Sequence, residues 1–138
     1  MALLDLGAPL GVEPDDLGPQ FYRPAVLAGI TGEMAMSNEE TFGPVAGLSR
    51  FATEEEAVRK ANDTPYGLSA YYYSRDVGRI WRVSEALDYG ILGINTGVIS
   101  TEVAPFGGVK ESGIGREGSK YGIDEWLEIK YLCLGGIA

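Results

Sequence analysis

A chain of 138 residues, 45% apolar and 22% charged, is one domain's worth of polypeptide with enough apolar surface to build a core. Eleven basic against twenty acidic side chains give a net charge of −9, which repels phosphate backbones and excludes nucleic acid as an expected partner. One cysteine and no histidine exclude a disulfide framework and a Cys/His metal site, and they remove the commonest general base.

Residues 1–20 are rich in Pro, Gly and Asp and show no sustained period, which predicts an irregular N-terminal segment. Their start, "MALLDLGAPLG", lacks the basic residues of a signal peptide, and no run along the chain approaches the length of a membrane span. A cytoplasmic location, away from membranes, is the expectation. From residue 44 the pattern becomes regular: "PVAGLSRF" predicts a strand and "TEEEAVRKAND" a helix, with Thr53 and Glu56 spaced as a capping box. Ala57 and Ala61 share one face of that helix. Its acidic first turn and its Arg59 and Lys60 match the helix dipole.

"TPYG" predicts a turn and "LSAYYYS" a second strand. In "RDVGRIWRVSEALDYG" the residues Val77, Ile80, Trp81, Ser84 and Leu87 form one stripe at helical spacing, and Gly90 suits a C-terminal cap. "ILGIN" predicts a third strand. The order strand, helix, strand, helix, strand predicts an α/β fold with parallel pairing and right-handed crossovers, a βαβαβ unit. A long glycine-rich loop follows over residues 96–118, then a short helix in "SKYGIDEW" and a final strand in "WLEIKYLCL".

The loop contains "GIGREG", Gly113 to Gly118, which fits the dinucleotide fingerprint G-x-G-x-x-G. A genuine fingerprint needs a strand before it, a helix opening under the pyrophosphate, and a carboxylate about 20 residues on. "GGVKES" precedes it, and Leu134 to Ile137 stand where the carboxylate belongs. Glycines serving tight turns and close backbone approach are the better account.

"NEETFGPV", "YGLSAYYYS", "GINTG", "PFGGVKESGIGREGSKYG" and "EIK" stand in the order and spacing of the C-terminal portion of aldehyde dehydrogenases, from about Phe21 to Ile137. The chain resembles the succinate-semialdehyde branch in particular. The resemblance implies NAD(P)-dependent oxidation of a small-molecule aldehyde to the acid: a thiolate attacks, an oxyanion hole steadies the intermediate, hydride leaves for the nicotinamide, and a glutamate-activated water releases the product. It also implies the division 1–20 irregular segment, 21–125 C-terminal part of the catalytic domain, and 126–138 oligomerisation strand and tail.

The family's nucleophile sits in Gly-Gln-x-Cys and its base in Glu-Leu-Gly-Gly; neither string occurs here. The single thiol, Cys133, lies in "KYLCLGG", an apolar strand context without a base or a helix N-terminus, and is expected to be buried and structural. No residue is therefore assigned a catalytic role, and this stretch alone is expected to be inactive.

Other roles follow from the resemblance. Glu40 would hydrogen-bond the nicotinamide-side ribose of NAD or NADP, and Phe42 would pack against the nicotinamide end. Ser100 would donate to the distal carboxylate of the substrate, where relatives acting on apolar aldehydes place a ring, and Phe106 would line the aldehyde pocket. Lys110 and Arg116 are assigned to turn and surface packing. The last strand implies a homo-oligomer, or association with a complementary dehydrogenase fragment. From the residues alone, a second possibility stays open: a stand-alone non-catalytic interaction protein binding through that edge strand. Another short semialdehyde is an open alternative substrate.

Overall fold

The computed structural model describes residues 2–4, 18 and 20–136. The chain forms two compact units, Met1–Thr53 and Glu54–Ala138.

The first unit is built on a three-stranded sheet in the order β1-β2-β3, with β1 Ala2–Leu4, β2 Ala25–Ala28 and β3 Val45–Leu48. β3 lies inside the predicted "PVAGLSRF". Its neighbour β2 is parallel, in register from Ala25↔Val45 to Ala28↔Leu48, and the one-turn helix α1, Ala35–Asn38, lies in the crossover. Beyond β2 the ladder continues as Ile30 N–H donates to the Leu48 carbonyl at 3.1 Å, and Ile30 is the buried hydrophobic side chain of the described residues. β1 pairs antiparallel with β2. Most of the irregular segment expected over residues 1–20 lies outside the described residues, but Ala2–Leu4 is a strand and corrects that expectation where it is described. Neither β1 nor β2 is longer than four residues, too short for a period to show.

The second unit holds α2 Glu54–Asn62, β4 Tyr66–Gly67, β5 Ser69–Tyr72, α3 Val77–Ala86, β6 Ile91–Ile94, β7 Val109–Lys110 and a 3₁₀ turn at Asp124–Trp126. β5 and β6 are parallel, in register from Ser69↔Ile91 to Tyr72↔Ile94, with α3 as the crossover. Asp76 caps α3, its Oδ1 accepting the Arg79 N–H at 2.7 Å. β4 and β7 pair antiparallel and bring the glycine-rich loop back to the strand region.

Parallel pairing through helical crossovers is thus present, but the single βαβαβ ladder is not: β3 pairs with β2, and β5 with β6, in separate sheets. The apolar stripe on α3 is also rotated from its expected position. Val77 and Trp81 are each 66% exposed, while Ile80, Val83, Ser84 and Leu87 are half-buried. Tyr72 on β5 sets that inner face, its hydroxyl donating to the Ile80 carbonyl at 2.8 Å and meeting the Ser84 hydroxyl.

Gly90 does not cap α3. Leu87 does so in an extended conformation, donating to the Val83 carbonyl, and Gly90 instead lies against the backbone of Gly107 and Gly108, leaving no room for a Cβ. Among the described residues of this unit the buried positions are Gly67, Gly93 and Gly108, where side chains of Val109, Tyr71 and Ser112 and the Asp88 carbonyl press against glycine backbone. Residues 127–136 belong to no ladder among the described residues, and their side chains are exposed. No described helix is long and apolar enough to cross a membrane.

Candidate functional site

In the first unit, α1 ends at Asn38 and an irregular stretch with bends at Glu39, Gly43 and Pro44 leads to β3, carrying Glu40 and Phe42 between. Asn38 ties the turn before α1, its Nδ2 donating to the Gly32 carbonyl at 2.7 Å. Glu40 is exposed and Phe42 is 92% exposed, an unusual position for a ring. The carboxylate offers two acceptor oxygens and the ring an open apolar face, two residues apart in the chain. That pairing suits a sugar diol joined to a flat heterocycle.

In the second unit the predicted pocket residue Phe106 lines a cleft of about 480 Å³, together with Leu68, Ser112, Arg116, Glu125 and Trp126. The glycine-rich loop folds around this cleft. Phe106 and Glu117 exchange backbone hydrogen bonds at 2.8 and 2.7 Å, which closes the loop on itself. One guanidinium nitrogen of Arg116 donates to the Gly108 carbonyl at 2.7 Å and the Gly115 carbonyl at 2.9 Å. The Ser112 hydroxyl accepts the Gly67 N–H at 2.9 Å and ties the loop to β4. Arg116, assigned to turn and surface packing, is therefore a brace for the loop.

The "GIGREG" string is a wall of this cleft. Two-residue β7 precedes it, turns follow it, and the next helical residue is Asp124 in a 3₁₀ turn. Gly113 and Gly118 have φ of 134° and 65°, and Ile114 is 97% exposed. The strand before this string is a two-residue antiparallel one and no helix N-terminus opens after it, which is not the strand–turn–helix setting of a pyrophosphate loop.

Ser100 stands on the loop after β6, exposed and outside the lining of the cleft. Asn95 starts that loop with φ of 56°, its amide exchanging hydrogen bonds with the Ser74 backbone at 2.9 and 2.8 Å. Ser119 N–H donates to the Glu102 carbonyl at 2.9 Å and pins its far end. Ser100 and Phe106 thus share one anchored excursion but not one cavity.

Cys133 is exposed on the extended segment 127–136, which corrects the expectation of a buried thiol. A strand buries its side chains only when a ladder and a facing layer cover them, and no described residue pairs with this segment. The thiol also lies outside the cleft lining.

Sequence patterns concealed two positions. Lys110, at φ 55° in β7, sends its ammonium to the Asn62 carbonyl at 3.0 Å and the Thr64 carbonyl at 3.3 Å, at the end of α2. It also lies 3.8 Å from a carboxylate oxygen of Asp88 and 5.9 Å from the centre of the Tyr89 ring. Asn62 in turn bridges to Ala86 and Asp88. These contacts join residues 21 to 48 positions apart, beyond any local signal.

The model of the aldehyde dehydrogenase family matches residues 4–132. The mitochondrial succinate-semialdehyde dehydrogenase of Oryza sativa subsp. japonica is 58% identical over 128 residues, which are 93% of this chain and 24% of that protein. The 3-sulfolactaldehyde dehydrogenase of Pseudomonas putida is 56% identical over 136 residues, 97% of this chain and 28% of that protein. Among solved structures, the succinate-semialdehyde dehydrogenase of Burkholderia pseudomallei matches with a TM-score of 0.82 at 66% identity, over 86% of this chain and 24% of that one. The chain spans about a quarter of the length of these relatives.

Proposed function

This chain belongs to the aldehyde dehydrogenase family, with its α/β fold and parallel strands, and from that premise we propose that it is the C-terminal portion of an NAD(P)-dependent enzyme that oxidises succinate semialdehyde, or a similar short semialdehyde, to the acid. Residues 21–125 are its share of the catalytic domain and 126–138 its oligomerisation strand and tail. By itself this stretch turns nothing over. The observation that carries the inactivity is Cys133, the one thiol, which sits exposed on segment 127–136 outside the cleft lined by Phe106.

Within the complete enzyme the nicotinamide cofactor, NAD or NADP, supplies the hydride acceptor. Glu40 would hold the nicotinamide-side ribose by accepting hydrogen bonds from its hydroxyls, and the open Phe42 ring would support the nicotinamide end; the exposure of both, two residues apart, supports that reading. Phe106 forms an apolar wall for the aldehyde chain. Ser100 donates its hydroxyl to the distal carboxylate, and the neutralising charge comes from cationic side chains elsewhere in the enzyme, since one hydroxyl cannot balance an anion.

A second reading, a non-catalytic interaction protein, draws on one specific feature: Leu127, Ile129, Tyr131, Leu132 and Leu134 are all exposed on an extended segment. The two readings separate in one assay. The purified chain with NAD⁺ or NADP⁺ and succinate semialdehyde gives no reduced cofactor, and co-expression with a dehydrogenase piece carrying the Gly-Gln-x-Cys segment yields an active complex. Turnover by the chain alone would refute the inactivity, and an inert co-expressed complex would favour the interaction protein.

A further inference from the structure

The stretch Phe106–Lys110 is held at both ends. At one end Phe106 exchanges its two backbone hydrogen bonds with Glu117. Between the ends, Gly107 and Gly108 pack so tightly that a Cβ on Gly108 would stand 2.6 Å from the Ser112 Cβ, and one on Gly107 would run into the Gly115 carbonyl oxygen. At the other end is Lys110. Its φ of 55° is a strained conformation for a residue with a side chain, and a glycine would adopt it freely.

What the lysine provides is its ammonium. Three donors on a long stem meet the Asn62 and Thr64 carbonyls at the end of α2, with the Asp88 carboxylate and the Tyr89 ring beside them. The Asn62 carbonyl ends α2, where partial negative charge favours a cation, and it accepts the ammonium beside the Thr64 N–H at 2.8 Å; the Thr64 carbonyl lies two residues beyond the helix. The Lys110 side chain is about a quarter exposed and its partner Asp88 is 63% exposed, so salt screens the ion pair while the carbonyl contacts hold the ammonium in place.

From this geometry we infer that Lys110 is a positioning residue for the cleft: by capping α2 through its ammonium, it fixes one end of the Phe106–Lys110 strap and so sets where the Phe106 ring stands. The inference rests on the reading of Phe106 as a pocket wall. It assigns Lys110 no contact with substrate or cofactor.

Amide hydrogen exchange of the full chain tests it without any turnover, so failure here is separable from failure of the dehydrogenase reading. The Phe106 and Glu117 amides are the reporters, because Lys110 touches neither. In Lys110→Met these two amides are expected to exchange about tenfold faster or more, the scale of losing hydrogen bonds to a charged donor. Lys110→Arg, whose cation can reach the same carbonyls, is expected to restore most of the protection. Both variants keep the strained φ, so the comparison isolates the side-chain charge. If Lys110→Met speeds only the amides at the end of α2, such as Asp63, then the lysine is a local cap and the inference is overturned. Should Lys110→Met not fold, Lys110→Gln replaces it: faster exchange at Phe106 and Glu117 supports the inference, and wild-type exchange overturns it.

Discussion

Asn62 and Ala86 join the ends of two helices: the Asn62 side-chain Nδ2 donates to the Ala86 carbonyl at 2.7 Å, and its Oδ1 accepts the Asp88 N–H at 2.9 Å. One amide therefore satisfies a free carbonyl near the end of α3 and a free N–H just beyond it, while belonging to the last residue of α2.

Replacement by aspartate should keep the acceptor and lose the donor. Asn62→Asp places a carboxylate oxygen against the Ala86 carbonyl and adds negative charge near Asp88. A loss of about 2 kcal/mol is expected, the scale of a broken hydrogen bond plus an unmatched polar contact. Urea unfolding of the chain at neutral pH measures it, with Asn62→Ala as the comparison. Equal stability of Asn62→Asp and wild type would show that the bridge contributes nothing.

Glu54 opens α2 and takes both arginines of α3, with contacts of 3.1 Å to Arg82 and 2.9 Å to Arg79. The Arg82 hydrogen bond, followed by that of Arg79 and the charges of both, holds its carboxyl below the ordinary value of 4.5. A depressed folded value means that this contribution is fully present above pH 4.5 and is lost as pH falls through the lower folded value. Exposure and salt weaken it. Unfolding curves of wild type and Glu54→Gln should therefore separate at neutral pH in low salt and converge in acid. A gap that widens in acid would contradict the assignment.

Gly90 meets the Gly107 carbonyl carbon and Gly108 Cα, each 2.9 Å from where its Cβ would be, whereas nothing lies within 4 Å of a Cβ on Gly97. The Gly107 carbonyl oxygen stands closer still, and all three clashes at Gly90 are with backbone, which cannot rotate aside. Gly90→Ala is expected to lose about 3 kcal/mol or to fail to fold, and Gly97→Ala to stay within about 0.5 kcal/mol of wild type. Thermal unfolding of the pair distinguishes a packing requirement from a general intolerance of alanine.

Ser100 offers the test on activity. In an active complex reconstituted with the upstream dehydrogenase portion, Ser100→Ala should raise KM for succinate semialdehyde about tenfold, the cost of one hydrogen bond to an anion. KM for an uncharged short aldehyde should stay unchanged. Steady-state kinetics with both substrates decides, and an equal change for both would remove Ser100 from recognition of the carboxylate.

Several elements of this fold were legible in the residues alone. Helix α2 was plain from its dipole-matched charges, α3 from its period, and β5 and β6 from short apolar runs beside turn residues, because each is encoded by neighbours in the chain. The motifs around Glu40, Phe42, Ser100 and Phe106 announced the family, and the turn composition around "GIGREG" announced that no helix opens there. Local chemistry could not say which face of α3 turns inward, that β3 pairs with Ala25–Ala28, or that Gly90 serves a close approach instead of a helix cap. It also could not place Cys133 in the open or Lys110 on the end of α2. Burial and long-range hydrogen bonds depend on which distant segments arrive at a position. Only the tertiary structure decides that.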